Sequence, residues 1–506
     1  MKKMWMTLAA VLCCSMTTMV FTGCSSDDDD KPTPADPADE LADYTIIYYG
    51  QGGTSLDQQI SDNINQFYEA DAASYKKVNV AVQFKFSTAE NLAENGMPEE
   101  YAEAMGSQTY RFVVDPELDV DEWMDDEYLY GAENCDCTNA DSLTHFIDWA
   151  AKTCPAKNYI LVLTDHGGSY MPHTDLPYTA PSRSIFEDDG RGKAGFSVFS
   201  LASAIRNASI RPQVIYMDAC LMNTVEYQFE LKELCDYYVA STFCVPGVGG
   251  DYTTLVNSLA TENDIEKSLI ALAESNTARW GDEEINMNVS ALIFNDITIT
   301  RTDKLDAFGV ALGQFTQKLL NAYLSGKQEV ADAIDDCTAF AFKVQETRPS
   351  YDLIDYVNEI CKALPDVFPA TLQKEVNDAF NATVVKAFCS ETLAENGLTV
   401  ELSVLLGFNN SYVIRGKALS EDGEITEAVK YFYADGSSLL LEPEYPSFRV
   451  EGNWGSTFDA TFKQLAFDKA VGWSRWIEVN RQMPCEISPT EWDPEFFSEV
   501  LEEIDQ

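Results

Sequence analysis

Two short runs constrain the fold of this chain more than anything else in it: YILVLT at 159–164 and QVIYM at 213–217. Neither alternates apolar with polar residues. A strand that is wet on one face alternates, whereas one that is apolar on both faces must be covered on both. Between the two runs lie a long polar loop, 169–198, and Leu201, Ala204, Ile205 and Ala208 at helical spacing behind Ser200, which reads as the helix cap. The same order holds on either side. Thr45–Tyr49 reads as a buried strand, and Leu56, Ile60, Ile64 and Phe67 follow at helical spacing. Val78, Val80, Val82, Phe84 and Phe86 alternate as a strand does, and Tyr110–Val114 reads as a shorter one. Asp141 or Ser142 is placed to cap a helix with Leu143, Phe146, Ile147, Ala150 and Ala151 on one face, closed by Pro155. Leu221–Leu234 reads as helix and Tyr237–Ser241 as a sixth strand. The expectation is an α/β fold: a mostly parallel sheet sandwiched by helices.

The ends carry other information. Lys2 and Lys3 precede an apolar stretch from Met4 to Phe21, the pattern of a secretory signal. Cys13, Cys14, Ser15, Thr17 and Thr18 interrupt that stretch and argue against a spanning helix. Val20-Phe21-Thr22-Gly23-Cys24 resembles a bacterial lipobox, which makes Cys24 the lipidated first residue of the mature chain. The run Ser25-Ser26-Asp27-Asp28-Asp29-Asp30 reads as a solvated linker. It also resembles the acidic export signal of Bacteroides-type surface lipoproteins. These readings place the protein on the outer face of an outer membrane. The expected organisation is a signal peptide at 1–23, a linker at 24–42, a catalytic-type domain at 43–300 and a C-terminal lobe at 301–506, helical with short strands.

The 506 residues carry a formal charge of −49. Phosphate binding needs a basic face, so nucleic acid is not an expected partner, whereas a cationic peptide would be attracted. Beyond Cys24 the cysteines are scattered apart from Cys135-Asp136-Cys137. Cys135, Cys137, His145 and Cys154 could be grouped as a zinc site, but their spacing does not fit the usual structural sites, and loop and core thiols are the simpler reading. No metal site is expected from the sequence.

Ligands of parallel sheets sit beyond the carboxyl ends of the strands. The two apolar runs end in Thr164-Asp165-His166-Gly167-Gly168 and in Met217-Asp218-Ala219-Cys220. Neighbouring strands would bring His166 and Cys220 side by side. A thiolate attacks carbonyls far better than a thiol, so a catalytic cysteine needs help to ionise. A helix starting at Cys220 would favour the anion through its unpaired N–H groups. His166 would take the proton and return it to the leaving amine. The backbone N–H groups at Gly167 and Gly168, with that of Cys220, form a candidate oxyanion hole. Taken singly, an isolated Cys is usually a small core residue, and His145 and His173 occupy a helix and a loop.

TDHGG (164–168) and MDACLMNTVEY (217–227) resemble the two active-site segments of the clostripain family, which are caspase-like cysteine peptidases. DSLTHFIDWAAKTCPAKNYILVLTDHGG, ASTFCVPGVGGDY (240–252) and the late FKQLAFDKAVGW (462–473) extend the similarity. The resemblance implies an endopeptidase cutting after Arg, or Lys, with His166 and Cys220 as the dyad and Asp218 lining the pocket for the basic side chain. A carboxylate offers a guanidinium two acceptors in one plane. Asp218 also suits a helix cap. Asp251 is a second pocket candidate. The chain departs from the family where His-Gly-Gly-Gly-Trp becomes His-Gly-Gly-Ser-Tyr, and where Gly-Trp becomes Gly250-Asp251; both changes bear on the pocket. Some relatives mature by self-cleavage between the dyad members, where Arg183, Arg191 and Lys193 stand here. Calcium supports some relatives; Asp119, Asp121, Asp125, Asp126, Asp188 and Asp189 are abundant acids but form no EF-hand pattern. The expected partners are basic protein or peptide substrates and the membrane, through Cys24; the chain is expected to be a monomer. The alternative is an inactive surface binding protein on the same scaffold.

Gly190-Arg191-Gly192-Lys193-Ala194-Gly195 matches GxGxxG but follows an acidic loop, not a strand. From 303 to 390 the pattern is helical, with Ser350 read as a cap and Leu353, Tyr356, Val357, Ile360 and Cys361 on one face. Leu398, Val400, Leu402 and Val404 alternate, and short strand-like runs fill 410–455. The tail after Trp492 reads as an exposed acidic helix.

Overall fold

In the computed structural model of the protein, the described residues are 41–53, 55–120, 122–130, 135–168, 185–186, 195–262, 264–282, 285, 295–340, 343–345, 348–390, 411–419, 425–433, 449–452 and 462–480. The strands are β1 (Ala42–Gln51), β2 (Val78–Lys85), β3 (Thr109–Val113), β4 (Ala156–Thr164), β5 (Val214–Asp218), β6 (Tyr237–Ala240), β7 (Asp296–Arg301), β8 (Lys343–Gln345), β9 (Arg348–Tyr351), β10 (Val384–Cys389), β11 (Ser411–Leu419), β12 (Ile425–Tyr433) and β13 (Arg449–Gly452). An eight-stranded sheet runs β10-β7-β6-β5-β4-β1-β2-β3; β8 and β9 form a hairpin, and β11 lies between β12 and β13. The five central strands β2, β1, β4, β5 and β6 are parallel, so their carboxyl ends share one edge. The flanking β3, β7 and β10 pair antiparallel.

The helices are α1 (Asp57–Tyr68), α2 (Ala89–Glu94), α3 (Glu99–Met105), α4 (Ala140–Thr153), α5 (Val198–Asn207), α6 (Val225–Leu231), α7 (Tyr252–Thr261), α8 (Ile265–Trp280), α9 (Leu305–Tyr323), α10 (Gln328–Phe340), α11 (Leu353–Ala363), α12 (Ala370–Thr383), α13 (Ala466–Val471) and α14 (Trp473–Asn480). They bury both faces of the sheet, which is why β4 and β5 run apolar from Tyr159 to Leu163 and from Val214 to Met217. Ile47, Tyr49, Leu161, Leu163, Ile215 and Met217 point to the face covered by α4, α5 and α6. Ile46, Tyr48, Ile160, Val162, Val214 and Tyr216 point to the face covered by α1, α7 and α8. Each such side chain contributes about 1.5–3 kcal/mol on full burial. Among the described residues no helix is long and apolar enough to cross a membrane.

The α/β sandwich is as expected, but the sheet has two more strands than the six read from the sequence. In β7, Thr298 and Thr300 are buried beside Ile297 and Ile299, so one of its faces carries polar residues. β10 follows α12 directly, with no glycine or proline to mark the change of period. The division at 300/301 falls inside β7, and β10, from beyond it, completes the same sheet.

Three caps also differ. Asn139, not Asp141 or Ser142, accepts the amide that starts α4; Ser197, not Ser200, caps α5; Asp352, not Ser350, caps α11. In each case the true cap is an earlier or later Asn, Ser or Asp with extended backbone, which spacing alone does not distinguish. Residues 398–404, 1–40 and those after Trp492 lie outside the described residues.

Candidate active site

The register of β4 on β5 fixes the site. Thr164 stands beside Asp218 at the last paired position, and each chain then leaves the sheet at the same edge. His166 and Cys220 both lie two residues further on. The turns after them interlock. A Cβ on Gly167 would lie 2.1 Å from the carbonyl oxygen of Cys220 and 2.7 Å from its nitrogen, so only glycine lets the two backbones meet. His166 Nε2 lies 3.4 Å from the Ser55 hydroxyl in the turn after β1. The His166 carbonyl accepts the Phe186 N–H at 3.4 Å.

Cys220 is partly exposed. Its thiol donates to the Val245 carbonyl at 3.7 Å. The sequence reading put it at a helix start, and the structure corrects this: α6 begins at Val225 behind the cap Thr224. The intervening backbone turns through Leu221, whose φ of 63° lies in the left-handed region. The N–H of Leu221 donates to Phe243 and that of Asn223 to Ser241, both at 2.9 Å, which prevents helix from forming there. Helix-end stabilisation of the thiolate is thus absent. A hydrogen bond with the Cys244 thiol, then burial, pushes the Cys220 thiol well above its ordinary value.

The segment after β6 is held from below by Asp296. Its Oδ1 accepts the Ser241 hydroxyl at 2.9 Å and the N–H groups of Thr242 and Phe243 at 2.9 and 3.0 Å. Burial pushes this carboxyl up to about 6, with those hydrogen bonds acting the other way. Asn223 bonds Thr242 at 3.1 Å and is itself held by Gln228 at 2.7 Å. The loop that faces Cys220 is therefore rigidly supported.

Asp218 ends β5 and is 4% exposed. Its Oδ2 accepts the Gly250 N–H at 2.9 Å and the Tyr252 hydroxyl at 2.5 Å. Its Oδ1 is buried without a hydrogen-bond partner among the described residues. Burial raises this carboxyl's pKa, and the bonds from Tyr252 and Gly250 offset only part of the rise. Asp218 caps no helix. Asp251 does: it accepts the Thr254 N–H and hydroxyl at 2.8 Å each and the Ser275 hydroxyl at 2.5 Å, at the start of α7. Burial would raise its pKa, but those bonds and the Arg279 charge outweigh it and leave it below the ordinary value. Arg279 is itself bound to Gln66 at 2.8 Å.

Ser55, Cys244 and Asp296 were missed as site residues. Ser55 and Cys244 follow the carboxyl ends of β1 and β6, so the strand-end rule that found His166 and Cys220 would have found them too. Asp296 had no such signal, because β7 was not recognised. Arg183, Arg191, Lys193, His173, Asp121, Asp188, Asp189 and Cys24 lie outside the described residues. His145 lies within α4, as expected. Among the described residues no group of three or more His, Cys, Asp or Glu is placed to hold a metal ion, so the grouping of Cys135, Cys137, His145 and Cys154 forms no zinc site and no calcium ligand set is found there.

A sequence model of the clostripain family, Peptidase_C11, matches residues 51–479. The chain belongs to the clostripain family. Among solved structures, this clostripain-family chain is similar to a secreted C11 cysteine protease from Bacteroides thetaiotaomicron in complex with an irreversible peptide inhibitor. Identity is 15% and the TM-score 0.53, over 86% of this chain and 100% of that one. A second structure of a secreted C11 cysteine protease from the same organism, "iotapain", matches at 14% identity and a TM-score of 0.53, over 85% and 99% of the two chains. At such identities the likeness establishes the fold. None of the curated proteins compared matches the chain.

Proposed function

We propose that the protein is a cysteine endopeptidase that cleaves after Arg, or Lys, through Cys220 and His166. The observation that carries the reading is the interlock of the two turns: β4 and β5 end in register, and Gly167 packs directly on Cys220. Family membership supplies the chemistry such an arrangement serves.

In this reading His166 removes the Cys220 proton as the sulfur attacks the scissile carbonyl, so the raised thiol pKa is met by a base and not by a standing thiolate. Negative charge on the carbonyl oxygen falls to the N–H groups of Cys220 and Gly167. His166 then protonates the leaving amine, the C–N bond breaks and a thioester remains. Water, losing a proton to His166, attacks the thioester; the C–S bond breaks and the thiol regains its proton. Ser55, 3.4 Å from Nε2, would orient the imidazole.

Asp218 is the proposed acceptor for the basic side chain before the cut. The support is its buried Oδ1, an acceptor lacking a donor, which a guanidinium would supply. Asp251 is the weaker candidate, because its oxygens already receive α7 and Ser275. No step depends on calcium. The proposal further includes anchoring by a lipid on Cys24 at the outer face of the outer membrane, a monomeric state, and self-cleavage at Arg183, Arg191 or Lys193.

An arginyl chloromethyl ketone tests the core of the reading. Capture by the loop-cleaved protein, lost in Cys220→Ala and weaker with an uncharged residue in place of Arg, is the expected result. No capture would identify an inactive binding protein on this scaffold.

A further inference from the structure

We propose that Cys220 and Cys244 form a reversible disulfide that switches the protein off. The switching rests on the reading of Cys220 as the nucleophile; the pairing itself does not.

The geometry comes from the backbone. The Leu221 N–H donates to the Phe243 carbonyl and the Asn223 N–H to the Ser241 carbonyl, each at 2.9 Å. The residue after Cys220 is thus bonded to the residue before Cys244, which brings the two cysteines to one place. The side chains agree: the Cys220 sulfur is 3.7 Å from the carbonyl oxygen of Val245, the residue after Cys244, and the Cys244 thiol is the neighbour that most raises the Cys220 thiol. Asp296 holds Ser241, Thr242 and Phe243, so the thiols are presented to each other by a rigid support.

Exposure sets the order of events. Cys244 is exposed and Cys220 only partly so, which lets an oxidant meet Cys244 first. With a low-molecular-weight disulfide as oxidant, the Cys244 thiol loses its proton and attacks one sulfur. A mixed disulfide forms and one small thiol leaves. Cys220 then loses its proton and attacks the Cys244 sulfur, forming the internal bond and releasing the second small thiol. One external disulfide is reduced to two thiols as two protein thiols become one disulfide. The Cys220 sulfur can no longer attack a carbonyl until a small thiol reverses both steps.

The test is oxidised glutathione added to the loop-cleaved full chain, followed by non-reducing digestion and mass measurement. The expected product joins the peptide holding Cys220 to that holding Cys244, lacks two hydrogens, retains no glutathione, and regains peptidase activity with dithiothreitol. Cys244→Ser, compared with its own reduced rate, should yield no linked peptide and retain glutathione wherever it is modified. Absence of the linked peptide from active wild-type protein would overturn the proposal. So would a Cys244→Ser variant that is inactivated and recovers as the wild type does, without an adduct. A linked peptide in a reduced protein that neither cleaves nor captures the ketone would uphold the pairing and overturn only the peptidase reading.

Discussion

Gly167 and Cys220 meet backbone to backbone: a methyl group on the glycine would sit 2.1 Å from the cysteine carbonyl oxygen. The obstacle is rigid main chain, so a side chain at 167 must push the His166 and Cys220 turns apart. Misplacement of reacting groups by about 1 Å costs about 100-fold in rate. Gly167→Ala is therefore expected to lower kcat/KM on an arginyl peptide by about 100-fold while the far-ultraviolet circular dichroism stays native. Wild-type kcat/KM in that variant would show that the two turns are not coupled in catalysis.

Removing the Cys244 thiol should make Cys220 more acidic. The hydrogen bond with Cys244 is the largest cause of the raised Cys220 value, so its loss moves that value down and increases the thiolate fraction at neutral pH. The pH profile of alkylation of Cys220 by iodoacetamide should shift to lower pH in Cys244→Ala. An unmoved profile would mean that burial alone sets the thiol.

Asp218→Asn tests the specificity pocket. The substitution keeps an acceptor for Gly250 and Tyr252 but removes the charge. If the carboxylate reads a basic side chain, the preference for arginyl over uncharged substrates should fall by about 10- to 100-fold, as loss of a charged hydrogen bond of about 1.5–3 kcal/mol requires. Because burial raises this carboxyl, wild-type selectivity should also be lost on acidification earlier than an ordinary aspartate would allow. Equal losses on both substrate types would assign Asp218 a purely structural role.

Glu226 sits in α6 and is fully buried. Burial pushes its carboxyl from 4.5 up to about 8. Between those values the folded chain holds a proton that the unfolded chain has released, so stability falls as pH rises through this window. Glu226→Gln removes that slope. The variant's gain in Tm over wild type should be smallest near pH 5 and grow to a plateau above pH 8. A constant difference across that range would place the native carboxyl near its ordinary value.

Much of this was legible along the chain because it depends on near neighbours. The apolar runs 159–164 and 213–217 announce strands covered on both faces, and they are β4 and β5. The polar residues that follow them announce a strand-end site. The helix expected at Leu221 was not legible, because long-range bonds from Leu221 and Asn223 to the segment after β6 outweigh local helical preference. β7 and β10 were hidden because Thr298 and Thr300 interrupt the apolar pattern of one and nothing marks the change of period from α12 into the other.

By itself the sequence determined the layered α/β class, the family motifs and the position of a thiol and an imidazole after two apolar strands, since burial pattern and residue type are local properties. Only the tertiary structure decided that Gly167 closes on Cys220, that Cys220 precedes α6 and does not start it, and that Asp296 holds the facing loop. Those outcomes depend on strand register and on contacts between segments far apart in the chain, which no local pattern encodes.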